Sequence, residues 1–297
     1  MSFSSSLRQH FGEYLIEAWA LGMFMVSAAL FTALFEYPGS PVHVIVTNGA
    51  ARRALIGMAM GLTAIVLIYS PWGQRSGAHM NPATTLTFLR LGKVMPWDAA
   101  FYVAAQFIGG VFGVLVSKLL LGSIIAHPSV SYVTTVPGPA GTGVAFVAEA
   151  AIACGMMLMV LFATNTPKFA RFTGLFAGAL VFLYITFEAP LSGMSINPAR
   201  TVASSVPSGI WTAGWVYFTA PVLGMLLAAQ VYRDVRTSSP VTCPKLHHGT
   251  KQRCMFCGYP GDIDRLGITE ENKDKEGKDE LGFIETTPGN SEVQRLF

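Results

Sequence analysis

Six stretches of the sequence carry no charged side chain, and they are long enough to cross a lipid bilayer, where each helix needs about 20 largely apolar residues. Charged residues make up only 12% of the 297-residue chain, against about a quarter in ordinary soluble proteins. This composition excludes a soluble enzyme, and a net charge of only +3 gives no basis for binding nucleic acid. The stretches are residues 18–35, 54–74, 99–117, 150–167, 172–187 and 201–232.

The charges divide the chain into an apolar body and a polar tail. Of the 20 basic and 17 acidic residues, 10 and 6 occur up to Tyr232, which leaves 10 and 11 for the last 65 residues. We therefore predict a membrane domain over residues 1–232 and a cytoplasmic tail over residues 233–297.

The basic residues between the six stretches predict the orientation. If the N-terminus is inside, the inner loops carry most of the Lys and Arg, so the positive-inside rule places both termini in the cytoplasm. Glu13 and Glu17 stand where a cleavable signal peptide would be basic, so we expect the first span to be retained in a multi-pass protein of the cell (inner) membrane. The inner set is Arg8, Arg75, Arg90, Lys93, Lys168, Arg171, Arg233 and Arg236, and the outer set is Arg52, Arg53 and Lys118.

A repeat relates the two halves of the body. Gly-Ala-His-Met-Asn-Pro-Ala at residues 77–83 returns as Gly-Met-Ser-Ile-Asn-Pro-Ala at 193–199, an offset of 197 − 81 = 116. Each unit, about 11–121 and 142–232, holds three spans, and an odd number inserts the second copy upside down, as an inverted repeat. Residues 77–89 and 193–206 are too short and polar to span, and the proline that begins each helix suits re-entrant half-helices. Irregular backbone at that depth lines a watery cavity, so we predict an all-α membrane protein of six spans and two half-helices around a pore.

These residues resemble the major intrinsic proteins, the aquaporin family. The resemblance rests on the boxes Asn81-Pro82-Ala83 and Asn197-Pro198-Ala199, on Arg200 directly after the second box, and on Glu17 and Glu149 in spans one and four. It extends from about Phe11 to Tyr232. It implies a homotetramer with one pore per subunit, passive transport without a cofactor, and no enzymatic activity.

The boxes and Arg200 predict the selectivity of the pore. Asn81 and Asn197 would cap two half-helices whose positive ends meet at the midplane and repel cations and protons. The resemblance implies that Arg200 forms one wall of a selectivity filter, and motif spacing places the other walls at Met60 or Gly61, Ile185 and Met194. Such a filter is more apolar than that of strict water channels.

Thr201 bears on the permeant, because it follows Arg200 where glycerol-conducting members carry Asp. We expect water as the main permeant, with a small uncharged solute or dissolved gas as an addition. A glycerol or small neutral solute facilitator is the alternative.

The buried ionisable residues have two interpretations. The resemblance implies that Glu17 and Glu149 support the loops behind the boxes and that His79 offers a backbone carbonyl to the lumen. The alternatives are a proton relay in an ion-coupled secondary transporter, and a cytoplasmic pH sensor at His79.

The tail contains the pattern Cys243-x10-Cys254-x2-Cys257, with two histidines between. Three thiols and one imidazole form a tetrahedral zinc site, and we assign Cys243, His247, Cys254 and Cys257 to a small metal knuckle at residues 243–257. A redox-responsive Cys254/Cys257 pair and uninvolved thiols are the alternatives, since a cytoplasmic location disfavours a structural disulfide. Beyond Gly261 the mixed charges predict disorder.

Overall fold

The computed structural model describes residues 2–237, 241–248 and 253–259, so the predicted disordered stretch beyond Gly261 lies outside the described residues. Every regular element in the described part is helical. Short 3₁₀ turns at Gly122–Ala126 and Ser131–Val133 and a π-turn at Tyr184–Glu188 join the α-helices. The α-helices are α1 (Phe3–Glu36), α2 (Pro41–Ile45), α3 (Gly49–Tyr69), α4 (Pro71–Ser76), α5 (Pro82–Arg90), α6 (Pro96–Leu121), α7 (Thr142–Thr164), α8 (Pro167–Ala170), α9 (Thr173–Leu183), α10 (Ala189–Ser192), α11 (Pro198–Ser208) and α12 (Gly214–Val235).

Six helical segments of the described part are long and apolar enough to cross a membrane, and this confirms the predicted number of spans. They are Phe3–Glu36, Gly49–Tyr69, Pro96–Ala126, Thr142–Thr164, Thr173–Ser192 and Gly214–Val235.

The predicted stretch 201–232 is wrong as a single span, because it contains two elements. Its first part belongs to α11, which ends at Ser208 where Gly209 adopts a left-handed φ of +73°. The sixth span is α12, and it begins only at Gly214.

The half-helices α5 and α11 follow the two boxes and are 9 and 11 residues long. Each begins with proline after an asparagine N-cap. Asn81 Oδ1 accepts a hydrogen bond from Ala83 N at 2.9 Å, and Asn197 Oδ1 accepts one from Ala199 N at 3.0 Å. The side-chain oxygens thus satisfy main-chain N–H groups that a helix start leaves free.

Glycines allow the spans to pack with their backbones close together. A Cβ on Gly61 would lie 2.5 Å from Gly178 O, which brings α3 against α9, and Gly109 packs in the same way on Ala18 of α1. Gly224 of α12 packs on Ala150 of α7. Small residues at helix contacts are the usual means of close approach in membranes.

The described part of the tail folds back onto the body. Leu246 N donates to Gly77 O at 3.1 Å, and Thr242 N donates to Asn165 Oδ1 at 2.8 Å. Val241 and Leu246 are buried in the apolar core of the body. The tail therefore covers the loop that precedes the first box.

Candidate functional site

A cavity of about 400 Å³ runs between the two repeats and is lined by residues from both boxes. Glu36 at the end of α1 and Arg53 near the start of α3 line one end, which we call the filter-side mouth. Ile68 near the end of α3 and Leu246 of the tail line the opposite end, which we call the tail-side mouth. The predicted pore residues on its wall are Met60, His79, Asn81, Ile185, Met194, Asn197 and Arg200.

The two asparagines tie the half-helices together across the repeat axis. Asn81 Nδ2 donates to Ile196 O at 2.7 Å, and Asn197 Nδ2 donates to Met80 O at 2.7 Å. An amide NH₂ group carries two hydrogens, so each asparagine keeps a second N–H beside the cavity. A passing oxygen atom can accept from these two donors.

Glu17 binds the loop that precedes the first box. One carboxylate oxygen accepts from Ser76 Oγ at 2.7 Å and from His79 N at 3.0 Å, and the other accepts from Met80 N at 2.6 Å and from Gln106 Nε2 at 2.9 Å. Hydrogen bonds to a charged acceptor are stronger than neutral ones. This carboxylate therefore fixes the backbone behind Asn81.

Glu149 repeats the arrangement in the second half. It accepts from Ser192 Oγ at 2.7 Å, from Ser195 N at 2.6 Å and from Ile196 N at 2.6 Å. The backbone that it holds is irregular, since Met194 and Ile196 both have positive φ. Glu149 thus stabilises a conformation that non-glycine residues rarely adopt.

Further members of this support were missed in the sequence. Ser76 and Ser192 donate to the two carboxylates, and Tyr102 and Tyr217 donate to the carbonyls of those serines at 2.7 and 2.6 Å. Gln106 completes the first half. The repeat in the sequence could have indicated them, because the two serines are separated by the box offset of 116 and the two tyrosines by 115.

The four proposed filter positions all lie on the cavity wall. Met60 lines the cavity, whereas the alternative, Gly61, packs against Gly178 on α9. Met60 and Met194 are 2% and 7% exposed, so both apolar side chains are buried. Arg200 is the cation among the four, and its Nη1 has no hydrogen-bond partner within the described residues.

His79 contacts the tail with its side chain, which the sequence did not indicate. Its Nε2 lies 3.0 Å from Pro244 O, and because a carbonyl only accepts, this nitrogen carries the proton. The ring stacks between Phe88 and Phe256, with ring centroids 5.3 and 5.8 Å away. His79 therefore joins the first box to the tail.

The tail brings three sulfurs and one imidazole together, but the histidine is His248 and not the predicted His247. The ligand atoms of Cys243, His248, Cys254 and Cys257 all lie within 4.8 Å of one another. His247 instead packs edge-on against Tyr69 of α3, with ring centroids 4.8 Å apart. Its neighbour Leu246 faces the cavity, and this packing turns His247 away from the sulfurs. The cluster offers a set of donors that suits a metal ion.

Electrostatics within the cluster favour a thiolate. The pKa of the Cys254 thiol is lowered, first because the Cys243 thiol donates a hydrogen bond to it, and further by His248 and the charge of Lys245. The same hydrogen bond and burial raise the pKa of Cys243. Thiolates are the form in which cysteine binds metals.

Comparison with known proteins gives the family. Residues 6–232 match the family model described as major intrinsic protein. The chain belongs to the major intrinsic protein family. Members of this family are channels for small neutral solutes that need no cofactor, and the six spans make the chain an integral multi-pass membrane protein.

Individual relatives agree with this membership. Aquaporin NIP2-3 of Zea mays is 36% identical over 220 residues, which cover 73% of this chain and 70% of the relative. Aquaporin NIP6-1 of Arabidopsis thaliana is 33% identical over 218 residues, covering 72% and 69%. The X-ray structure of the aquaglyceroporin from Plasmodium falciparum has the same fold, with a TM-score of 0.64 at 20% identity, covering 76% of this chain and 97% of that chain.

Proposed function

We propose that the chain is a passive channel whose main permeant is water, and that it also passes small uncharged solutes. The observation that carries the proposal is the pair Asn81 and Asn197, which cap two half-helices and keep a free N–H each beside one cavity. Water accepts and donates in turn at such a point, and it needs no conformational change to cross.

Ions are excluded by two positive features. The N-terminal ends of α5 and α11 carry a partial positive charge and face each other at the boxes. Arg200 adds a full charge on the filter side. Glu36 is the acidic residue among the described cavity-lining side chains, and it pairs with Arg52 at 3.1 Å, which reduces its attraction for cations.

The filter composition supports the passage of solutes beside water. Met60, Ile185 and Met194 offer no strong hydrogen-bonding group, so Arg200 is the polar wall among the four positions. For a solute with an apolar surface, the free-energy cost of entering such a filter is smaller than the cost of passing beside a histidine. A glycerol facilitator is the alternative, and it differs in the ratio of glycerol to water flow.

An ion-coupled secondary transporter is the rival from another class, and the glutamates argue against it. Both oxygens of Glu17 and of Glu149 already accept hydrogen bonds, and neither residue lines the cavity. Proton relays need ionisable groups along the path. The two glutamates suit a supporting role behind the boxes.

Stopped-flow swelling of proteoliposomes tests the channel. We expect water permeability well above that of empty vesicles, unaffected by protonophores, and a smaller but measurable glycerol permeability. Asn197→Leu, which removes both the cap and the lumen donor, should abolish the excess. Thr219 lies on the exposed surface of α12, so Thr219→Val is a control variant that should conduct normally. Flow that depends on a proton gradient would instead support the transporter.

The proposal includes the setting of the channel. We propose that the protein lies in the cell (inner) membrane with both termini in the cytoplasm, because the inner loops are rich in Lys and Arg.

We also propose a homotetramer, whose contact surface would include the apolar groove between α1 and α3. Trp19, Met23, Leu30, Met58 and Leu62 line this groove. Cysteine cross-linking at Met58 tests this arrangement.

We also propose that the tail cluster binds zinc. Two sulfurs that each lie about 2.3 Å from a tetrahedral zinc are about 3.8 Å apart, and Cys243 Sγ lies 3.6 Å from Cys254 Sγ. His248 Nε2 lies 3.2 Å from Cys257 Sγ. Metal analysis of the purified chain should find one zinc, retained in Cys154→Ser and lost in Cys257→Ser. Equal metal in both variants would contradict the site.

A further inference from the structure

The tail is part of the cavity wall. Leu246 lines the cavity at its tail-side mouth and is only 7% exposed. Its N–H donates to Gly77 O, a carbonyl of the loop that leads to the first box. An apolar side chain of the tail thus forms part of the wall at this mouth, and the Gly77 carbonyl already accepts a hydrogen bond from the tail.

The contacts around Leu246 hold this segment against the body at several points. His79 donates to Pro244 O, and Phe256 stacks on the His79 ring. Lys245 and Phe256 lie against Gly77, where a Cβ would approach them to 3.2 and 3.4 Å. Any side chain at Gly77 would therefore crowd the docked tail.

The cluster brackets Leu246 in the sequence. Cys243 precedes it by three residues and His248 follows it by two, while Cys254 and Cys257 come from the return of the chain. A metal bound to these four groups closes a loop around Leu246. Because metal binding orders small segments that lack a core of their own, it would set how firmly Leu246 is held.

Lys245 fits the charge of a loaded site. Zinc with three thiolates and one neutral imidazole carries a net charge of −1, and Lys245 is a buried cation, 2% exposed, beside Cys254. A buried charge is stable only when it is paired. The cation therefore belongs with a negatively charged cluster.

We propose that metal binding by Cys243, His248, Cys254 and Cys257 locks Leu246 in the tail-side mouth and restricts flow, so that the tail is a metal-dependent gate. The inference rests on the proposed channel and zinc site. Loss of the metal frees the segment, and the mouth widens. The water permeability of the channel then depends on the concentration of the metal in the compartment that the tail faces.

The test uses the full chain in proteoliposomes loaded with zinc, before and after a membrane-permeant chelator. Chelation should raise the water permeability of the wild type several-fold, and zinc should reverse the rise. Before chelation, Leu246→Ala should already have the high water permeability while zinc is still bound. Chelation should change that permeability little. Cys243→Ser/Cys254→Ser should be open and metal-free. Cys154→Ser and Leu223→Ala, outside the tail, are matched controls that should gate like the wild type.

The outcomes separate the gate from the proposals beneath it. If every form, Leu246→Ala included, is impermeable, the channel proposal fails and the gate with it. A wild type that conducts but takes up no zinc when zinc is supplied overturns the zinc site and its gating role. A chain that conducts and binds zinc, but whose flow is changed neither by chelation nor by Leu246→Ala, overturns the gate alone.

Discussion

Replacing Glu149 by Gln tests whether the buried glutamates support the boxes. The substitution keeps the shape of the side chain but turns one acceptor oxygen into an NH₂ group. The amide oxygen can still accept from Ser192 Oγ and Ser195 N, but Ile196 N–H, now bonded at 2.6 Å, would face another donor. A buried donor left without a partner costs about 1–3 kcal/mol. That is about a fivefold to more than a hundredfold change in an equilibrium constant.

The lost hydrogen bond should destabilise the loop before the second box, because Glu149 holds the irregular backbone of that loop. We expect Glu149→Gln to lower the thermal unfolding temperature in detergent and to reduce water permeability. Glu36→Gln is the matched control, since Glu36 forms a partly exposed ion pair with Arg52, and such pairs contribute about 0–1 kcal/mol. Unfolding followed by size-exclusion chromatography, together with vesicle swelling, measures both effects.

Two results would refute the reasoning. If Glu149→Gln is as stable and as permeable as Glu36→Gln, the carboxylate does not hold the loop. If the stability of Glu149→Gln is unchanged but a proton-driven uptake disappears, Glu149 belongs to a proton relay. That result would support the transporter interpretation.

Three further predictions concern the filter and the packing. Arg200→Ala should raise proton leak and glycerol flow several-fold while water flow persists, as read by a pH-sensitive dye and by swelling. Ile185→His should lower the ratio of glycerol to water flow, because it adds a hydrogen-bonding wall; an unchanged ratio would show that this position is not selective. Gly61→Val should cost about 1–3 kcal/mol or more by overpacking, since a Cβ there meets Gly178 O at 2.5 Å, whereas Gly143→Ala meets nothing within 4 Å and should be neutral. Yields of folded protein after heating compare the two glycine variants.

The number of spans and the repeat could be predicted because lipid imposes them. Charged side chains are excluded from the bilayer core, so the gaps between charges mark the spans. The same rule failed between α11 and α12. The chain turns at Gly209, and the turn residues near Trp211 are uncharged, so hydropathy alone merges the two elements.

The filter shows where spacing along the sequence stops being informative. Met60 and Gly61 are neighbours on α3, and a shift of one residue turns a helix by about 100°. Motif counting could not choose between them. The structure separates them, because Gly61 packs against Gly178 and the preceding residue, Met60, lines the cavity.

The histidine that lies with the tail cysteines was mispredicted for a related reason. His247 and His248 fit the spacing of a Cys₃His site equally well, and the body decides between them. Leu246 enters the cavity wall and His247 packs on Tyr69, which leaves His248 for the sulfurs. A contact between tail and body leaves no signal in the cysteine pattern.

The inverted repeat explains why a gate would form on the tail side. Each half has a glycine with positive φ at the start of the loop before its box, Gly77 and Gly193, and both are covered. Gly193 is covered by Val136, whose connection is held at both ends by membrane spans. Gly77 is covered by the described part of the tail, which follows α12 in the sequence. In the proposed gate, a metal bound to the cysteine–histidine cluster constrains this cover. The proposal thus gives the two halves different covers at the same position: a connection between two spans over Gly193, and a metal-dependent segment over Gly77.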